Sequence, residues 1–166
     1  MAPRDAAPAS PGSGGEWMEL WELVARENIR DLVARYNANG DTGRFDQVLD
    51  LFAPDAVMEV PDGVYEGHDG IRTVFTGAQQ NVKSLPEPEG RRHLRHFTAS
   101  LQIDLVDATH ARSRCYYQVL MPHGLDHWGR YVDEYEMVEG RWLFSRRKVT
   151  LDGYVPGGMG AASVGE

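Results

Sequence analysis

Apolar residues recur at helical spacing in the first half of the chain and at strand spacing in the second. In "WMELWELVARENIRDLVARYNANG", residues 17–40, Trp21, Val24, Ala25, Asn28, Leu32 and Tyr36 share one stripe, and Asn39-Gly40 ends the helix. A short second helix follows, with Phe45, Val48, Leu49 and Phe52 at i, i+3, i+4 and i+7, until Pro54 stops it. "AVMEVPDGVYEG" reads as a strand and a turn. The helical period returns over residues 68–83, where Asp69 caps a segment that buries Ile71, Val74, Phe75, Ala78 and Val82. Proline makes "SLPEPEG" a loop. Strands are then expected near 93–106, 111–121, 128–138 and 141–151, separated by the turns "DATH", "PHGLDH" and "EG". Helices first and a meander afterwards predict an α+β fold, with three helices on one face of a curved antiparallel or mixed sheet.

Composition narrows the class. With 42% hydrophobic and 25% charged residues, the 166-residue chain reads as one soluble globular domain. Residues 1–15, rich in Pro, Ala, Ser and Gly, read as a disordered tail, 16–155 as the domain, and 156–166 as a flexible C-terminal tail. No apolar run approaches the roughly 20 residues that span a bilayer, and the opening residues lack the apolar core of a secretory signal. No membrane partner is therefore expected. A net charge of −8, from 25 acidic and 17 basic residues, argues against nucleic acid. The lone Cys115 allows no disulfide within the chain and fits a reducing cytoplasm. No CxxC pair is present, so no structural zinc is expected.

The head of one strand carries chemistry. In "GRRHLRHFTASLQIDLV", residues 90–106, strict alternation puts Phe97, Ala99, Leu101, Ile103 and Leu105 on one face and His96 on the other, with Thr98, Ser100, Gln102 and Asp104. His96 is then a solvated strand-end residue, unless its face lines a polar cavity; alternation leaves both open. Asp41, before Thr42-Gly43, suits an Asx-turn or a helix cap as well as a partner for a histidine. His93 falls on the face opposite His96, so the two cannot share a metal from a regular strand. His123 and His127 flank a Gly-Leu turn where they could approach each other, and nothing obliges a metal there. Arg147 alternates with Leu143, Val149 and Leu151 and must find an anion, either a substrate carboxylate or a structural Asp or Glu. The basic clusters "RRHLRH", "RSR" and "SRRK" read as ion pairs among the acidic residues. "GGMGAASVG" lacks the βαβ context of a dinucleotide loop.

The order helix–helix–strand–helix–four strands resembles the nuclear transport factor 2-like superfamily. "ARYNANGDTGRFDQVLDLFAPDA", "RHFTASLQIDLV" and "DEYEMVEGRWLFSRRKV" resemble its SnoaL-like branch, which includes scytalone dehydratase and a hexachlorocyclohexane dehydrochlorinase; the likeness covers about residues 17–155. The resemblance implies a cone-shaped sheet around a pocket. It places Asp41 and His96 where those enzymes hold their catalytic aspartate and histidine, and "CYYQVLMPHG" points at His123 as a second pocket histidine. Tyr117, Val119 and Met121 match cavity-lining positions. Two tyrosines of the dehydratase stand here as Gly40 and Val60, which counts against scytalone as substrate.

What this implies is a cofactor-independent enzyme, without metal. His96 would be general base, oriented by Asp41, and Tyr117 and His123 would polarise or protonate a substrate oxygen. Arg147, Val119, Met121, His127, Trp21 and Phe75 would complete the substrate site. The expected reactions are elimination, cyclisation or isomerisation of a small hydrophobic ring compound, as in polyketide, steroid or aromatic metabolism. Two other classes share the fold: a small-molecule-binding module, with His96 unpaired, and the structural small subunit of a ring-hydroxylating dioxygenase. A homo-oligomer is expected, a trimer ahead of a dimer.

Overall fold

The computed structural model describes residues 17–85 and 93–162. The tail at 1–15 and most of the "SLPEPEG" loop lie outside the described residues. Helix α1 (Leu20–Gly40) buries Ala25, Ile29, Leu32, Val33, Tyr36 and Asn37. Its stripe lies further round the helix than alternation of apolar residues suggested, because Ile29 fills the core where Asn28 would have buried an amide. Trp21 and Val24 consequently stand 47% and 51% exposed, so Trp21 is a surface residue, outside the lining of the cavity described below.

Helix α2 (Phe45–Leu49) is shorter than expected: Phe52 opens strand β1 (Phe52–Val60), opposite Phe144. Pro54 lies inside β1, where the register shifts between Phe52 and Val57, so its missing N–H removes no ladder bond. A turn leads to β2 (Gly63–Glu66) and then to α3 (Gly67–Ser84), in which Asp69 lies within the first turn instead of capping it. Four long strands follow: β3 (Arg95–Leu105), β4 (His110–Met121), β5 (Gly124–Val138) and β6 (Arg141–Tyr154). The sheet order is β2-β1-β6-β5-β4-β3, antiparallel throughout except for the parallel β1–β6 pair. It is a mixed, open sheet with the helices on one face, the α+β architecture expected, and it does not close into a barrel.

The inner face is set by one irregularity. Pairing of β3 with β4 slips between Ala99 and Gln102, and Ser100 adopts φ 57°, a left-handed conformation unusual for serine. The extra residue reverses the alternation. Before the bulge His96 faces inward beside Val119, and Phe97 is 51% exposed; after it Ile103 faces inward beside Ser113. Neither half of the simple alternation holds along the whole strand.

Tyr36 joins helix to sheet, its ring 5.8–6.1 Å edge-on from those of Phe52, Phe75, Tyr131 and Phe144. Beneath it Arg147 is wholly buried. Its Nε and Nη2 each donate to an oxygen of the buried Asp133 at 2.8 Å, and its guanidinium lies 3.9 Å from the centre of the Tyr36 ring. Asp133 is thus the anion Arg147 requires, and the arginine lies in the core, outside the lining of the cavity described below.

After β6 the chain turns into α4 (Met159–Ala162), within the segment read as a flexible tail. The buried Asp126 accepts N–H bonds from Met159 and Gly160, both at 2.9 Å, and seats this segment against the sheet.

Candidate active site

Helix α1 ends at Gly40, and the next residue, Asp41, points back toward the head of β3. One carboxylate oxygen of Asp41 accepts the backbone N–H of His96 at 3.0 Å, and the other accepts the ring Nδ1–H of the same residue at 2.6 Å. A carboxylate can only accept here, so Nδ1 carries the hydrogen and Nε2 keeps its lone pair in the neutral ring. With both oxygens occupied by His96, Asp41 forms no side-chain cap or Asx-turn. The Asp41 side chain is 7% exposed and that of His96 23%.

Beside this pair, α1, α2, α3 and the inner face of the sheet line a half-open cavity of about 610 Å³. Its wall is mainly apolar, with Tyr36, Phe45, Met58, Val60, Val74, Phe75, Tyr131 and Val149, while Met159 of α4 contributes from the C-terminal side. Asn37, Asp41, His93 and His96 supply polar wall. His93 joins His96 on the cavity because β3 begins only at Arg95, so strand alternation does not govern it. Gly40 and Val60 are both wall residues.

Of the residues expected at the site, Asp41, His96 and Phe75 line the cavity; Tyr117, Val119, Met121, His123 and His127 do not. Tyr117 is 4% exposed, stacks on Tyr131 with ring centres 4.5 Å apart, and donates its hydroxyl to the Thr150 carbonyl at 3.3 Å. Burial pushes its phenol above the ordinary range. It therefore supports the wall from behind and has no free donor for a substrate. Val119 and Met121, 0% and 3% exposed, belong to the packed core of β4.

His123 and His127 both turn to Asp126. His127 Nδ1 lies 2.6 Å from one oxygen of that carboxylate and His123 Nε2 3.1 Å from the other. His123 is an exposed turn residue, and His127 is covered by α4, where a side chain at Gly160 would meet its Cβ at 2.5 Å. Neither is placed to act on a molecule in the cavity. Burial holds the His127 imidazole below its ordinary range against the pull of Asp126. Burial alone would raise Asp126, but hydrogen bonds from His127, Gly160 and Met159 outweigh it and hold the carboxyl below its ordinary range. Cys115 lies on the inner face of β4 with its thiol pushed up to about 11 by burial, too high to supply a thiolate nucleophile.

Sequence reasoning missed Asn37, Met58, Tyr131 and Val149 as wall. Asn37 had a usable signal: it lies four residues before Asp41 and therefore on the same helix face. Met58, Tyr131 and Val149 had none, since being cavity wall or packed core depends on how far the helices stand off the sheet.

The fold recurs among known proteins. A candidate scytalone dehydratase from Novosphingobium aromaticivorans superposes with a TM-score of 0.69 at 20% identity, over 81% of this chain and 89% of its own. The hexachlorocyclohexane dehydrochlorinase LinA-type3 from Novosphingobium barchaimii gives 0.68 at 20% identity, over 82% and 92%. A cystatin-like protein of unknown function from Nostoc punctiforme gives 0.69 at 18%, over 80% and 95%. At these identities the likeness establishes the fold. No curated protein sequence matches the chain. The SnoaL-like domain family matches residues 21–148, well over half of the molecule, and the chain belongs to that family.

Proposed function

We propose that the protein is an acid–base enzyme acting on a small hydrophobic ring compound by elimination or by proton-transfer isomerisation or cyclisation, with His96 as general base and Asp41 as its orienting partner. The observation that carries this reading is the two-point hold of Asp41 on His96 beside an apolar cavity. Fixing Nδ1–H on the carboxylate leaves Nε2 as the basic nitrogen for a molecule in the cavity. In elimination, Nε2 takes a proton from carbon, the C–H electron pair becomes the new double bond, and the leaving group departs with its own pair. In isomerisation the imidazolium returns that proton to another atom of the same substrate. Asp41 stabilises the imidazolium in both cases. A module that only binds has no need of a carboxylate committed at both oxygens to one histidine. Membership of the SnoaL-like family, and likeness to a dehydrochlorinase and a candidate dehydratase, support elimination among the possible reactions.

The test is turnover of a panel of halogenated and hydroxylated cyclic compounds and cyclic β,γ-unsaturated ketones, with His96→Ala and Asp41→Asn measured in parallel. Product formed by the natural protein and lost by both variants is the expected result. Product formed equally well by His96→Ala removes His96 from the chemistry.

A further inference from the structure

The cavity wall holds a polar group that proton abstraction does not use. Asn37 lies on α1 four residues before Asp41, about 6 Å along the helix axis, and it is 8% exposed. Among the described residues its carboxamide makes no hydrogen bond, and Oδ1 is buried without a partner. An amide left so costs about 1–3 kcal/mol. Helix formation gives no reason for it, since leucine is the better helix former and the neighbouring stripe residues, Val33 and Tyr36, are core.

Several other polar groups of the wall are already engaged. Both Asp41 oxygens hold His96, and Thr42 donates to the Ala38 carbonyl at 2.7 Å. Gln79 accepts from Lys83 at 3.3 Å, and Arg95 donates to the Leu94 carbonyl at 2.6 Å. Gly40 and Val60 bring no hydrogen-bonding side chain to the wall.

We infer that Asn37 is a recognition residue of this cavity, and that its ligand is a ring compound bearing a hydroxyl or carbonyl oxygen, in preference to a hydrocarbon or halocarbon. A carboxamide carries both donors and an acceptor, so its cavity-facing end can meet either oxygen group. One helical turn from the Asp41–His96 pair is a separation that a single substituted ring bridges. The inference rests on the cavity being the substrate site of the reaction proposed above, and it is read out by binding, which needs no turnover.

The probes are 2-naphthol and 2-methylnaphthalene, matched in size and differing by a hydroxyl for a methyl. Their Kd values are measured with the full chain, with Asn37→Leu and Asn37→Ala, and with His96→Ala. The natural protein is expected to bind 2-naphthol at least tenfold more tightly. Both Asn37 variants lose that preference, while His96→Ala keeps it. Asn37→Leu also melts higher when unliganded, because the orphaned amide is gone. Equal affinities in the natural protein, binding of neither probe, or a preference that survives in both Asn37 variants overturns the inference. A preference that His96→Ala abolishes and Asn37→Leu retains assigns the hydroxyl to the base, leaving the proposed reaction intact. Unimpaired turnover by His96→Ala, with the preference lost in Asn37→Leu, has the opposite meaning: the recognition stands and the base assignment fails.

Discussion

Two of the aspartate–histidine pairs among the described residues share one dimension: Asp41 meets His96 Nδ1 at 2.6 Å, and Asp126 meets His127 Nδ1 at 2.6 Å. Everything around that contact differs. Asp41 gives both its oxygens to one histidine, whose ring lines the cavity. Asp126 divides its oxygens among His127, His123 and the amides of Met159 and Gly160, and its histidine is covered by α4. In the reading proposed here the first carboxylate orients a base; the second fastens the C-terminal segment. A carboxylate–imidazole contact is therefore no signature of catalysis. Its role follows from what else the carboxylate holds and whether the second ring nitrogen can reach a ligand.

The comparison breaks most sharply under substitution. His96→Ala or Asp41→Asn is expected to lower turnover by about 10²–10⁴, equivalent to about 3–5 kcal/mol of barrier at 1.36 kcal/mol per decade. Circular dichroism of both variants remains native, because His96 is a strand-head residue and the amide oxygen introduced by Asp41→Asn can still accept the His96 backbone N–H. His127→Asn under the same assay is expected to keep turnover within a few-fold. Equal losses from the two histidines would erase the distinction.

Next in size is the fastening itself. Asp126→Ala leaves the amides of Met159 and Gly160 and the Nδ1–H of His127 without their acceptor, at about 1–3 kcal/mol for each donor that stays buried. Urea titration should show the midpoint falling with an unchanged slope. If Asp126→Ala matches the natural protein in stability yet loses activity, the second pair is catalytic after all.

Much of this was legible in the sequence, and the parts that were not share a cause. The strand boundaries, the helix order and the pairing of Asp41 with His96 follow from period, turn residues and resemblance. The inward face of His96 does not, because the Ser100 bulge reverses the alternation and nothing local announces it. Arg147 read as a substrate ligand or a structural cation, the second favoured, and its cross-strand neighbour Asp133 is the anion it pairs with. Asp126 passed unnoticed although it lies between two histidines, since its partners Met159 and Gly160 are more than thirty residues away. Local chemistry can be read along a chain, but the partner that decides between two uses of one residue is usually distant.

A milder disturbance acts on the cover. A side chain at Gly160 would meet His127 Cβ at 2.5 Å and Tyr154 Cβ at 2.7 Å, and one at Gly158 would meet Asp126 Oδ2 at 2.5 Å. Gly160→Val should therefore lift α4 off the sheet and withdraw Met159 from the cavity wall. Full burial of one methionine side chain is worth about 1.5–3 kcal/mol, so about tenfold weaker binding of a cavity ligand is the expected scale. Truncation after Pro156 should reproduce it. Unchanged affinity in both variants would remove α4 from the binding site and leave it a purely structural segment.

The smallest effect is the pH dependence of stability at the second pair, and its sign distinguishes a buried neutral histidine from a salt-bridged one. An imidazole stabilised as a cation by Asp126 would have a raised pKa, and stability would be lost as pH rose. Here burial dominates and lowers the His127 pKa against the pull of Asp126. The folded state then favours neutral His127 more than the unfolded chain does. Its contribution is fully present above the unfolded imidazole value of about 6.5 and is lost as pH falls below that value. Asp126, also lowered, adds a second loss only below the carboxylate range. Melting curves between pH 8 and pH 5 should show Tm declining toward the acid side, by about 2–4 °C for each kcal/mol lost in a chain of this size. His127→Asn, whose amide can still donate to Asp126 but does not titrate, should flatten that decline. A Tm that rises on acidification, or a slope that His127→Asn leaves unchanged, would mean that His127 is held as an imidazolium and that the two pairs are closer in kind than their surroundings indicate.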